Sequence, residues 1–298
     1  MTKVLLTGVT GFLGSHTAVQ LLNKGYQVTG TLRSMQRADQ IKETIGKHTE
    51  HIDQLELAEI DLSASQTSWE ELMTGVDFVV HTASPFPTKL PKHEDELILP
   101  AKEGALNILR AATKQGVKRV VMTSSTGAVA YGKQRTGVFT AADWTDTSNK
   151  KDTTPYFRSK TIAEQAAWEY ARSHPEVPEL VTILPGVILG PVLEADYGNS
   201  ANAIKKLLEG SLPALPRLGF EMVDVRSVAD LHICAMVSDL AAGERLVATE
   251  SYWNFQDVAK ELKAAYPGRK FPTGLLPDFV VRLFSLFDPE LKPGLLDL

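Results

Sequence analysis

Tyr156 and Lys160 stand four residues apart in the run Tyr-Phe-Arg-Ser-Lys. That run is compatible with a helix, and four residues is about one turn, so both side chains leave the same face. A phenol with a reference pKa of about 10 is a poor acid or base near neutrality, but an ammonium one turn away favours the phenolate by ~1–3 pKa units. The pair therefore suits proton transfer to or from an oxygen. On spacing alone it suits equally an aromatic and a lysine sharing an ordinary helix surface. Upstream, Thr123-Ser124-Ser125 closes the apolar run from Val120 to Met122. A hydroxyl at the carboxyl end of a buried strand can hold a carbonyl oxygen, and it can also cap a helix or line a polar loop.

What must position these groups begins at the other end of the chain. Val4-Leu5-Leu6 is a short buried-strand signal, glycines follow at Gly8, Gly11 and Gly14, and a helical pattern through Ala18, Val19, Leu21 and Leu22 stops at Gly25. In such a strand, turn and helix, Gly8 permits the tight turn, Gly11 lets the backbone approach a pyrophosphate, and Gly14 lets the helix pack closely on its strand. The anion then rests on the helix N-terminus. The spacing is G-x-x-G-x-x-G, and three glycines by themselves also describe a tight turn. NAD-binding sheets carry an acid at the end of the second strand, about 20 residues beyond the glycines, where it bonds the adenosine ribose. Here the strand Tyr26 to Arg33 ends in Leu32-Arg33-Ser34, Arg37 follows one turn later, and the first acid is Asp39. Either the two arginines are solvated loop residues, or one guanidinium stacks on adenine and both charges meet a 2′-phosphate, which predicts NADPH over NADH.

Between these ends the chain alternates. Strands are expected through Leu55, Leu57 and Ile60, then over Val76 to Thr82, Val120 to Thr123 and Leu180 to Leu184. Helices are expected over Trp69 to Met73, Glu94 to Lys114 (with Pro100 near its start) and Tyr156 to Ser173. Such alternation requires crossovers, so the fold class is α/β, a Rossmann-type doubly wound parallel sheet. Residues 1–190 form the dinucleotide-binding domain, with a return around 222–237 in the segment Met222 to Met236. Residues 191–298 are mainly a smaller substrate-binding lobe containing a helix from Phe255 to Ala265, with the substrate in the cleft between the two.

The 298 residues, 43% of them hydrophobic, allow a large core, and no repeat or low-complexity tract is present. With 31 basic and 36 acidic residues, a formal charge of -5 and no basic run, a nucleic-acid surface is not expected. The partner is a small molecule, and the protein itself a monomer or homodimer. The lone Cys234, among Leu231, Ile233 and Met236, reads as a core residue. The strand at Val4 leaves no room for a signal peptide and no apolar run is long enough to span a membrane, so a cytoplasmic location is expected. Phe279 to Phe287 reads as a core or interface helix. His48 and His51 lack the partners of a zinc site and read as solvated, no metal is expected, and Trp168 reads as packing.

Taken in order, the motifs resemble the extended short-chain dehydrogenase/reductases, in the branch that holds dihydroflavonol reductase, cinnamoyl-CoA reductase and the yeast-type methylglyoxal or aldehyde reductases. The likeness runs over nearly the whole chain. It rests on Thr7 to Gly14, Arg33-Ser34, Asp61-Leu62, His81-Thr82-Ala83-Ser84-Pro85-Phe86, Thr123-Ser124-Ser125, Tyr156 with Lys160, Pro185-Gly186 through Gly190-Pro191, and Val223-Asp224-Val225-Arg226. The resemblance implies an NADPH-dependent carbonyl reductase acting on an aldehyde or ketone. Tyr156 is then the proton donor, Lys160 holds the nicotinamide ribose and lowers the tyrosine pKa, and Ser125, with Ser124 as the fallback, orients the carbonyl. It also implies a cofactor site made of Gly8, Thr10, Gly11, Phe12, Leu13 and Gly14, then Arg33, Arg37, Asp61 and Leu62 toward the adenosine. Thr82, Ala83, Ser84 and Thr123 line the middle, and Pro185, Gly186, Val187 and Ile188 meet the nicotinamide side. His81 becomes part of the strand under the cofactor, and Asp224 and Arg226 organise structure near the cleft. Two departures stand out. Glu103 occupies the stretch of the long helix where relatives often carry Asn, which removes an asparagine-supported proton relay. The chain ends at Leu298, short of a final helical segment, so a different lid is expected. An NAD-recycling nucleotide-sugar epimerase or dehydratase shares the same residue set, and a catalytically silent NADPH-sensing regulator shares the fold.

Overall fold

The computed structural model describes residues 1–85, 93–133, 137–194, 204–205, 207–209, 214–215, 217–272 and 274–277. Phe86 and the apolar segment Phe279 to Phe287 lie outside them.

The chain opens with β1 (Lys3–Thr7), α1 (Phe12–Asn23), β2 (Gln27–Leu32), α2 (Ala38–Gly46) and β3 (Leu55–Glu59). It continues through α3 (Gln66–Leu72), β4 (Phe78–His81), α4 (Asp95–Gln115), β5 (Arg119–Thr123), α5 (Pro155–Ser173) and β6 (Glu179–Pro185). Then come β7 (Val187–Leu189), β8 (Gly219–Asp224), α6 (Val225–Val237), β9 (Arg245–Ala248), β10 (Ser251–Asn254) and α7 (Phe255–Ala265).

Seven strands make one sheet in the order β3-β2-β1-β4-β5-β6-β9, every neighbouring pair parallel. Strands buried on both sides alternate their side chains between two cores. Val4 and Leu6 of β1 point into a core with Leu21 and Leu22 of α1 and Val228 and Met236 of α6. Leu5, between them, points into the opposite core with Trp69 of α3, Ile108 and Leu109 of α4, and Trp168 of α5. The strand order reverses between β1 and β4, which opens a crevice at the carboxyl edge.

A second sheet, β10-β8-β7, is three-stranded, with β10 antiparallel and β7 parallel to β8. Helix α7 packs through Ala259 against Leu207 and Leu215 in a separate small core.

The segment expected to return to the main sheet splits its allegiance. Its strand half, β8, joins the second sheet, while its helix half, α6, covers the main sheet beside α1. The strand that rejoins the main sheet is β9, pairing with β6. It escaped the sequence reading because only Ala248 of its four residues is buried. Helix α2 was also unforeseen, since it buries only Ile41 and Ile45. Cys234 is exposed, not core. Helix α6 buries Val228, Ala229, His232, Ile233, Ala235 and Met236, and Cys234 faces outward near Asp230, one turn back.

Candidate active site

At the first turn the backbone conformation selects the residue. Gly8 has φ 75°, and its N–H donates to Thr31 Oγ1 at 3.1 Å while Val9 N–H donates to Thr31 O at 3.0 Å, so the glycine turn is moored to the end of β2. At Gly14 an added Cβ would lie 2.1 Å from the carbonyl oxygen of Gly8, so the helix can sit this close only without a side chain. Gly11 is the N-cap and offers no side-chain cap, leaving the start of α1 open to an anion. This open, glycine-walled cradle fits a dinucleotide pyrophosphate. Thr10 and Phe12 flank it half-buried, whereas the Leu13 side chain turns into the core, so any contact it makes with a ligand is through its backbone.

The next strand closes against the cradle. Thr82 Oγ1 donates to Thr7 O at 2.6 Å and Ala83 N–H donates to Thr7 Oγ1 at 3.1 Å, which sets Ala83 beside Gly8. Leu62, Ala83, Ser84, Thr123 and Lys160 line one cleft. Arg33 is exposed next to Asp61, whose carboxyl lies below the ordinary range chiefly because Ser63 bonds it through Oγ and N–H, with Arg33 a lesser influence. Arg37 Nη2 donates to Glu194 Oε2 at 3.1 Å.

Helix α5 carries the candidate proton-transfer pair. Thr154 is its N-cap, accepting from Phe157 N–H, and Pro155 begins the first turn, so Tyr156 enters at the mouth of the helix and Lys160 one turn deeper. Tyr156 is hydrogen-bonded to the Ser125 side chain, and Ser125 Oγ also accepts from Gly127 N–H at 3.0 Å. Lys160 Nζ donates to Thr123 O at 3.3 Å. Ser124 faces the other way: its Oγ donates to Glu164 Oε2 at 2.6 Å, buried. Glu164, fully buried one turn beyond Lys160, also accepts from Thr182 Oγ1 at 2.8 Å, Trp168 Nε1 at 3.3 Å and Arg245 Nε at 2.8 Å. Arg245 lies 3.6 Å over the Trp144 ring.

Burial sets the titration of these groups. It pushes the Tyr156 phenol up, with the Ser125 hydrogen bond opposing, and takes the Lys160 ammonium down to about 8, with Glu164 opposing. Burial and the Ser125 hydrogen bond set the Tyr156 phenol, while the Lys160 ammonium points at the Thr123 carbonyl. His81 is held neutral, down to about 3 by burial and then by Lys160, and shares a 2.8 Å hydrogen bond with Thr7 Oγ1.

Residues 4–247 match the NAD dependent epimerase/dehydratase family. The chain belongs to that family. It is 34% identical over 278 residues to cinnamoyl-CoA reductase CAD2 of Medicago truncatula, covering 90% of this chain and 82% of the relative. It is 32% identical over 277 residues to tetraketide alpha-pyrone reductase 1 of Arabidopsis thaliana, covering 91% and 83%. Among solved structures, yeast methylglyoxal/isovaleraldehyde reductase Gre2 complexed with NADPH superposes with a TM-score of 0.82 at 28% identity, over 92% of this chain and 86% of that one. Vestitone reductase from alfalfa (Medicago sativa) gives 0.77 at 27%, over 91% and 84%.

As a member of the extended short-chain dehydrogenases/reductases, the protein gathers Ser125, Tyr156, Lys160, the glycine turn, Leu62, Thr82 to Ser84 and Thr123 at one sheet edge. Pro185 ends β6, and Gly186 leads into β7, which holds Val187 and Ile188 half-buried. Asp224 caps α6 by accepting from Arg226 N–H at 2.7 Å and pairs with the Arg226 guanidinium, a local structural clasp. Glu103 is exposed and 3.6 Å from Arg110. Its neighbour Gly104 faces Leu62 instead, so the acid does not enter the cleft. His48 and His51 are exposed, and Trp168 is core. Two glutamates were missed by sequence reasoning. Glu164 carried a usable signal, four residues past Lys160 on the same face; Glu194 carried none.

Proposed function

We propose that the protein is an NADPH-dependent carbonyl reductase acting on an aldehyde or ketone. The observation that carries this reading is the Ser125–Tyr156 hydrogen bond one turn from Lys160, at the edge where the glycine cradle opens and where β2 is followed by Arg33 rather than an acid. The NADPH held by the yeast Gre2 structure supports the cofactor assignment, and Arg33 and Arg37 are the residues to meet its 2′-phosphate.

When bound, NADPH supplies the hydride. Ser125 and Tyr156, already bonded to each other, converge on the substrate oxygen: Ser125 orients it, and Tyr156 passes its phenolic proton to the oxygen as negative charge develops there. A phenol raised by burial holds that proton at neutral pH until an oxygen basic enough to take it appears. Lys160 would hold the ribose hydroxyls of the bound cofactor and, still largely protonated near neutrality, would steady the phenolate left behind. Ser124 is bound to Glu164 and acts as structure. The seven-stranded sheet, β9 included, with α1 to α6 forms the dinucleotide domain, and β7, β8, β10 and α7 form the substrate side.

The test is NADPH oxidation against a panel of aldehydes, ketones, diketones and flavonoid-like ketones. Turnover with exchangeable cofactor is expected for at least one. Purified protein that retains NAD and reduces no carbonyl would assign it to the epimerases instead.

A further inference from the structure

We propose that Glu194 acts as a built-in competitor for the NADPH 2′-phosphate by sharing Arg37, so that it sets how strongly this protein prefers NADPH over NADH. The inference rests on the NADPH reading above and adds to it a residue that opposes the arginines.

Arg37 ends the turn that follows β2, a turn begun by Ser34, whose Oγ accepts from Gln36 N–H. The glycine turn is moored to Thr31 just upstream, so Arg37 stands at the adenosine end of the cradle. Glu194 comes from far along the chain. The segment leaving β7 crosses the start of α1, where Pro191 O is 2.8 Å from His16 Nε2, and then reaches the Arg37 guanidinium.

Two features separate this pair from an ordinary surface bridge. The Glu194 side chain is only 1% exposed, against 35% for Arg37, so the acid is the fixed partner and the arginine the one that solvent and ligands can reach. The second carboxylate oxygen, Oε1, is buried without a hydrogen-bond partner among the described residues. Buried polar atoms are nearly always paired, and a carboxylate held with one oxygen unpaired is poorly explained by folding alone. Among the described residues its charge is paired with Arg37. A phosphate dianion arriving at that guanidinium meets a cation already half-neutralised and a fixed negative charge behind it, whereas a ribose 2′-hydroxyl meets neither obstacle. Arg33 is exposed, with Asp61 near enough to feel its charge, and among the described residues it makes no bond to Glu194, so its attraction for the phosphate is not set by that acid.

Glu194→Gln preserves shape and the bond from Arg37 Nη2 while removing the charge. Binding of NADPH, NADH and 2′-AMP to the full chain, read by nucleotide fluorescence or calorimetry, measures the effect without turnover. NADPH and 2′-AMP should tighten about fivefold or more, the size expected of one partly screened charge at this range, with NADH nearly unmoved. Adding Arg37→Ala to the Gln variant should abolish the gain. Weaker NADPH binding by Glu194→Gln would overturn the proposal and make the acid an aid that positions Arg37. Equal changes for both dinucleotides would overturn it as well. A wild type that binds NADH as tightly as NADPH, indifferent to Arg33→Ala, would instead remove the cofactor reading beneath it.

Discussion

The carboxyl edge of the large sheet and the three-stranded sheet meet at Pro185-Gly186, where β6 hands the chain to β7, and they are held together in opposite ways. At the edge, polar side chains are buried and bound to one another: Ser124, Thr182, Trp168 and Arg245 all converge on Glu164. In the small sheet the residues of β7 are half-buried, and β10 carries exposed Ser251 and Tyr252. A buried and fully bonded network fixes atoms, as proton transfer demands; a half-exposed sheet can change its side chains without disturbing the chemistry. Under the proposed reductase reading, reaction type is expected to be set at the edge and substrate choice in the lobe.

The largest expected effect lies at the edge. Tyr156→Phe deletes the proposed proton donor and little of the proposed cofactor contact, so kcat should fall by ~10²–10⁴ while NADPH affinity stays nearly unchanged. Ser125→Ala should cost far more than Ser124→Ala. If Tyr156→Phe kept half its activity, the edge would lose its claim to the chemistry and the comparison would collapse.

The second effect concerns stability. Glu164→Ala leaves Arg245, whose side chain is 10% exposed, without its carboxylate. Removing one partner of a buried pair costs about 3–5 kcal/mol, so the urea midpoint should drop steeply. A loss below about 1 kcal/mol would show that the edge is held by its apolar cores and not by this network.

The contrast also explains how far the sequence could be read. Where one element carries its own signal, it was legible: the glycine turn, the apolar β4 and β5, and the Tyr156–Lys160 turn all announce themselves locally, and the order of motifs identified the family. What was lost depends on partners far away in the chain. β9 is a strand because β6 offers Thr182 to Pro185 for pairing, and Glu194 matters because Arg37 lies 157 positions earlier. Cys234 was misplaced because a helix of mean apolar character hides which face is buried until α1 is seen against it.

The smallest effect should come from the lobe. Tyr252 is 53% exposed, opposite Glu221 on β8. Its hydroxyl lies 2.4 Å from where a Cβ on Gly219 would stand, so the ring covers a glycine of the neighbouring strand. Cross-strand contacts of this kind contribute ~0.2–1 kcal/mol, and Tyr252→Ser should lower stability by no more than that. If the lobe governs substrate choice, the same change should leave kcat for the smallest accepted aldehyde untouched while moving KM for a bulky ketone several-fold, roughly the effect of one lost apolar contact. Paired kinetics on those two substrates, with a urea titration alongside, decide the matter. A drop in kcat for the small aldehyde at unchanged stability would mean that β10 reaches the reacting atoms and that the division between edge and lobe is drawn in the wrong place.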